Sequence, residues 1–274
     1  MLAISDALFL IHSSSTGEGK TKGMAKGLTL CHQHEVFAGE CAGFGLPVIK
    51  SDNLTLFPSL CSSQLISPET FEIVYHLNLM DTWQISGIAA PSYFRNVMEK
   101  LVGFYMKRPL CQPIGLKIRN AFFKLFQIRS TMKPGKSYGY CRVRYTAEAD
   151  CLKISVNGQS LRHLGELILL NEVPGSCFSR LKSAKGLREG HDFLPWQECS
   201  IETAIENPAL QIGYYLSFPG DDHPQCFQIA AGKEVGRDLN WAGLAITTEQ
   251  AVFTYHVHFY NLKKQPFPMT GTGG

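Results

Sequence analysis

Alternation of apolar and polar side chains is the pattern that limits this chain most. In residues 71–80, Phe71, Ile73, Tyr75, Leu77 and Leu79 recur at every second position, with Glu72, His76 and Asn78 between them. Successive side chains of a strand point to opposite faces, so this spacing predicts a strand with one buried face. Residues 140–145 repeat the pattern, with Arg142 and Arg144 opposite Cys141, Val143 and Tyr145. Residues 151–156 alternate and run into Asn157-Gly158, a pair favoured in two-residue hairpin turns. Further strands are expected at 26–34, 40–50, 166–173, 210–218, 225–231, 241–247 and 251–262. Turn-forming clusters separate them: Pro174-Gly175, Pro219-Gly220-Asp221-Asp222 and residues 232–236. The expected fold class is mainly β, a large β-sandwich or open barrel. The whole chain, 1–274, reads as a single domain with a loose Pro/Gly/Thr-rich tail at 266–274.

One stretch breaks the rhythm. Ser92 follows Pro91 and can cap a helix, after which Phe94, Val97, Met98, Leu101, Val102 and Tyr105 recur at helical spacing. Pro109 and Pro113 interrupt the run. A second helix would place Lys117, Asn120, Lys124 and Gln127 on a polar stripe and Ile118, Ala121, Phe122, Leu125 and Phe126 on an apolar one. The spacing therefore predicts a basic amphipathic helical insertion at about 92–129.

Charge concentrates around that insertion. Residues 95–144 hold 12 of the 26 Lys and Arg and a single acid, Glu99. The remainder carries 14 basic side chains against 22 acidic ones. A block this lopsided calls for an anionic neighbour. Lys107, Arg108, Lys117, Arg119, Lys124 and Arg129 are the candidate anion-binding residues. Aromatic residues among the cations suit a helix lying on a lipid surface. They also suit an anionic ligand or an acidic protein. Nucleic acid is a weaker partner, because no helix-turn-helix or RNA-binding signature accompanies the charge.

Two His-x-His pairs, His32 with His34 and His256 with His258, supply the second candidate site. Residues two apart on a strand project to one side, so each pair can offer two imidazoles to one metal. Such a donor set, with Glu35 or Glu40, would suit zinc or iron. The arrangement is loosely similar to that of the cupins, although the Gly and Glu spacings around His32 miss that motif. A bland reading puts His256 and His258 beside Thr254 and Tyr260 on a solvated sheet face.

Gly19-Lys20-Thr21 matches the end of a phosphate-binding loop, but Ser14 stands where the leading glycine is needed and no βαβ rhythm follows. A polar hairpin loop is the preferred reading. Asp221, Asp222, Glu198, Glu202, Glu234 and Asp238 show no spacing that marks a catalytic pair. Trp83, Trp196 and Trp241 are candidates for ring stacking or for packing. No Gly-x-Ser-x-Gly occurs. None of the nine cysteines forms a C-x-x-C, which points to free thiols and a reducing, cytoplasmic setting, with the basic block able to rest on a membrane surface. No stretch approaches the roughly 18 apolar residues of a membrane span. The expected function is a non-catalytic binding protein that engages an anionic ligand or surface through its basic insertion. The alternatives are a metal-dependent enzyme using the two His pairs, and a structural or assembly partner of an acidic protein.

Overall fold

The computed structural model describes residues 2–5, 8–12, 25–32, 35–37, 41–50, 55–79, 83–85, 88–89, 97, 117–118, 121, 124–125, 128–130, 137–149, 151–184, 186–189, 196–219, 227–235 and 240–263. The chain divides into two compact units. The first joins Met1–Leu79 to Lys136–Gly274, and the second is Met80–Gly135.

The first unit opens with β1 (Leu2–Ser5), β2 (Leu8–His12), β3 (Leu28–His32), β4 (Glu35–Val36), β5 (Phe44–Lys50), β6 (Thr55–Ser67) and β7 (Thr70–Leu79). The second unit contributes β8 (Trp83–Ile85), β9 (Ile88–Ala89) and β10 (Ile128–Ser130), which form a small antiparallel sheet of their own. The first unit resumes with β11 (Ser137–Glu148), β12 (Cys151–Asn157), β13 (Glu166–Val173), β14 (Arg180–Ser183), β15 (Gly186–Glu189) and β16 (Gln197–Cys199). It ends with β17 (Thr203–Asn207), β18 (Ile212–Ser217), β19 (Phe227–Val235), β20 (Asn240–Thr248) and β21 (Val252–Asn261).

Every described pairing in the first unit is antiparallel. One arm runs β6-β7-β11-β12-β21-β18-β17-β14-β15. The other runs from β6 through β5, β13, β20 and β19 to β16. The strands make one large open sheet, mainly β as the alternation requires.

Alternation decides which side of each strand is covered. On β11, Cys141, Val143 and Tyr145 are fully buried, while Arg142 and Arg144 point the other way and are exposed. The inner faces of the two arms meet through aromatics. The Phe44 ring of β5 lies 5.2 Å from Tyr214 of β18 and 5.6 Å from Phe259 of β21, edge-on in both cases. Buried phenols need partners. Tyr214 donates to the Asn171 carbonyl at 2.7 Å, and Tyr255 donates to Asn171 Oδ1 at 2.9 Å. Tyr145 donates to the Phe44 carbonyl at 3.0 Å. These bonds tie β18, β21 and β11 to the opposite arm.

Several expectations change. Asn157-Gly158 is no hairpin turn: β12 pairs with β11 and β21, and Asn157 Oδ1 instead accepts from the Gln159 amide, starting a 3-10 turn at Gln159–Leu161. The tight connection is the two-residue link between Glu148 and Cys151, which face each other across β11 and β12. Residues 232–235 are not a turn, since Gly232 and Lys233 continue the β19–β20 ladder. The basic helical insertion is not supported, because no helix is delimited among the described residues of 92–129. Val97, Lys117, Ile118, Ala121, Lys124 and Leu125 have helical backbone, and 128–130 is strand β10. Ala121 and Leu125, expected on an apolar side, are exposed. The tail 266–274 lies outside the described residues.

Candidate functional site

Strands β12, β21 and β18 are adjacent, and their registers build two cross-strand rows. Cys151 pairs with His258, which pairs with Tyr215; Lys153 pairs with His256, which pairs with Ser217. Leu152, Ile154, Tyr255, Val257, Tyr214 and Leu216 take the covered face. The alternate residues therefore share the opposite face. Cross-strand neighbours on one face stand within side-chain reach, so the ladder brings Cys, Lys, His, His, Tyr and Ser together.

This face is neither a core nor an ordinary solvated surface. Tyr215 and His258 stack with ring centroids 4.9 Å apart and planes 13° from parallel. Ser217 Oγ lies 2.7 Å from His258 Nε2, a hydrogen bond. The His256 and His258 rings are 5.9 Å apart. Glu148, at the end of β11, reaches over the row. Its Oε1 is 3.7 Å from Lys153 Nζ, and its Oε2 is 3.9 Å from His256 Nε2 and 3.7 Å from Cys151 Sγ. The His256 side chain is only 16% exposed. Tyr260 continues the face and donates to Glu206 Oε1 at 2.8 Å. Its ring packs against Gly213, where an added Cβ would come within 2.7 Å of it.

Burial holds the His256 imidazole below its ordinary value; Glu148 pulls it up and Lys153 pushes it down. Burial also raises the Tyr215 phenol, helped by nearby Cys151. The face thus offers a neutral imidazole, a lysine–glutamate pair whose charges offset one another, a hydroxyl and stacked rings. Neutral imidazole can accept a proton or a metal.

The expected metal set is only partly brought together. His256 and His258 share this face. His32 lies on β3, opposite Leu8 of β2 and Glu35 of β4, strands that do not pair with β21. His34 and Glu40 lie outside the described residues. Among the described residues, the group with three potential metal donors in reach of one another is Glu148, Cys151 and His256, whose donor atoms all lie within 4.8 Å. Periodicity on β12 could have placed Cys151 and Lys153 on the face of Ser155, but nothing local reveals that a strand about a hundred residues later lies beside them.

Of the candidate anion-binding residues, Lys117 and Lys124 are exposed, and Arg129 stands on β10 opposite Gln84. Lys107, Arg108 and Arg119 lie outside the described residues, as does the Ser14–Thr21 loop. Two cations of the basic block are tied to an acid of the neighbouring strand: Arg144 Nη2 is 2.9 Å and Arg142 Nε 3.5 Å from the buried Glu72 carboxylate. Trp196 and Trp241 stack on each other at 4.5 Å. Trp83 is on β8. Of the cysteines whose side chains are described, Cys31, Cys41, Cys141 and Cys151 are buried, Cys199 is half-buried and Cys177 is exposed, none of them in a disulfide. An open groove of about 760 Å³ around the start of β21, lined by Gln159, Arg162, Glu166 and Glu249, holds no such convergence of groups. No described helix is long and apolar enough to cross a membrane.

No family model matches this chain. No curated protein matches it either. A similar solved structure is one named "Putative aldose 1-epimerase" from Escherichia coli K12. The two share 8% identity with a TM-score of 0.38, over 93% of this chain and 100% of the other. A likeness that low argues for neither an activity nor a ligand.

Proposed function

We propose that this chain binds a small, uncharged, hydroxylated ring compound on the face of β12, β21 and β18. The observation that carries this reading is the Tyr215–His258 stack with Ser217, His256, Lys153 and Glu148 around it. A ring ligand lays its apolar face on the aromatic platform, and its hydroxyls meet donors and acceptors at the rim. Mutual compensation of Lys153 and Glu148 leaves little net charge, which favours a neutral ligand over an anion. His256, kept neutral, can take a proton from a bound hydroxyl, so acid–base chemistry lies within reach of the same face.

Calorimetric titration with a panel of cyclic polyols, monosaccharides and their phosphates tests the reading. A neutral member should bind, its phosphate should gain nothing, and Tyr215→Ala should abolish binding without unfolding the chain. Absence of binding by every neutral ring, or full binding by Tyr215→Ala, would reject it.

A second reading keeps the basic block as a docking surface for an anionic lipid layer or an acidic protein. It is supported by the exposure of Lys117 and Lys124 beside Leu125, which is 75% exposed. Cations next to an exposed apolar side chain are what an interfacial segment presents. Retention on anionic vesicles that falls steeply with salt and is lost in a Lys117→Glu, Lys124→Glu double variant supports this reading. Salt-insensitive retention, or none, removes it.

A further inference from the structure

The two oxygens of Glu148 serve different neighbours. Oε1 faces the Lys153 ammonium at 3.7 Å. Oε2 is the common vertex of two other contacts, 3.7 Å to Cys151 Sγ and 3.9 Å to His256 Nε2. A carboxylate oxygen, a thiol sulfur and an imidazole nitrogen therefore converge, with all three donor atoms within 4.8 Å of one another. They come from three different strands, β11, β12 and β21, held in fixed register by the ladder.

We propose that Glu148, Cys151 and His256 form a binding site for a divalent cation of the zinc class. Metal–ligand bonds of about 2.0–2.3 Å in a tetrahedral centre put donors roughly 3.3–3.6 Å apart. Both contacts of Glu148 Oε2 are within a few tenths of an ångström of that separation. The glutamate side chain is 43% exposed and so has room to adjust, while the sheet fixes the other two residues. The chemistry of the donors selects the ion. Thiolate and imidazole favour zinc, whereas magnesium and calcium want an all-oxygen shell. Loading the site converts the Cys151 thiol to a metal-bound thiolate and releases one proton to solvent. The two anionic ligands then neutralise the ion, and Lys153 holds the oxygen of Glu148 that faces away from it. Three protein donors leave a fourth position for water, the pattern of zinc sites that activate water or polarise an oxygen. The site shares Glu148 and His256 with the proposed ligand face, but the argument for it rests on the three side chains alone and its test needs no organic ligand.

Cobalt(II) titration of the tag-free, metal-stripped full chain tests the proposal. One equivalent should bind and produce the intense thiolate-to-cobalt absorption together with the visible bands of a tetrahedral centre. Zinc should displace the cobalt and should protect Cys151 from alkylation by iodoacetamide, read by peptide mass spectrometry. Cys151→Ser should lose the thiolate band. Glu148→Gln and His256→Gln should each weaken binding by about tenfold or more. Cys177→Ser, which removes an exposed thiol that lies on none of the three strands, should bind as the parent does. No thiolate band, a band that survives in Cys151→Ser, or unprotected Cys151 in the zinc-loaded chain would overturn the assignment. Circular dichroism on each variant separates a lost site from a lost fold.

Discussion

Ser217 Oγ and His258 Nε2 stand 2.7 Å apart across the β18–β21 ladder, two residues off direct register. That bond fixes which imidazole nitrogen points along the face, and the Tyr215 stack fixes the ring plane. Ser217→Ala should therefore cost only about 1 kcal/mol of stability, the usual net worth of one such hydrogen bond. It should also shift the His258 ring nitrogen resonances. Unchanged nitrogen shifts would mean that the bond does not form in solution.

Tyr255 makes a sharper stability prediction. Its phenol is fully buried and donates to Asn171 Oδ1 at 2.9 Å, an oxygen that also accepts from the Gly45 amide at 3.1 Å. Tyr255→Phe keeps the ring packing and leaves the acceptor partly satisfied, so the loss should be about 1–2 kcal/mol. Urea unfolding should show a lower midpoint and an unchanged m-value.

Glu172 gives the chain a pH dependence. Burial drives its carboxyl up to about 7, against the opposing pull of the Ala42 amide, which donates to Oε2 at 2.7 Å, and of Lys26. The folded chain then holds the proton more tightly than the unfolded chain, whose carboxyl titrates near 4.5. This contribution is fully present below about pH 4.5, shrinks as pH rises towards 7 and is gone above that. Glu172→Gln should remove it. By urea unfolding, the change in unfolding free energy between pH 5 and pH 8 should differ between parent and variant by on the order of 2–3 kcal/mol. Parallel pH profiles would contradict the burial of an ionisable carboxyl here.

The glycine under Tyr260 should be intolerant. An alanine Cβ at Gly213 meets Tyr260 Cζ at 2.7 Å, so the ring must leave its place over the strand. Its hydrogen bond to Glu206 would go with it. Gly213→Ala should cost about 1–3 kcal/mol, the range for an overpacked site. Trimming the ring in Gly213→Ala/Tyr260→Leu should recover part of that loss, measured by thermal unfolding.

Strands with a clean period of two were legible in the sequence. Cys141, Val143 and Tyr145 announce the covered face of β11, and β13 falls at its expected residues, Glu166–Val173. Strand β6 was not, because Pro58, Ser59, Ser62, Ser63 and Gln64 give it no apolar stripe; its pairing with β7 supplies the order instead, with two register irregularities. Short strands such as β14 and β15 carry too few residues for any period to show. The site was half legible. His256 and His258 stood out by spacing, but Glu148, Cys151, Lys153, Tyr215 and Ser217 join them only through cross-strand register. Charge counting pointed elsewhere, since composition cannot reveal that Glu72 lies buried beside Arg142 and Arg144.

The most direct test of the ligand face is nuclear magnetic resonance titration of the full chain with the best-binding neutral ring compound, following imidazole and tyrosine ring signals. Saturable shifts confined to Tyr215, His256 and His258, with the Lys117 and Lys124 side chains unmoved, are the predicted result. Shifts at the two lysines with the three rings silent would contradict it.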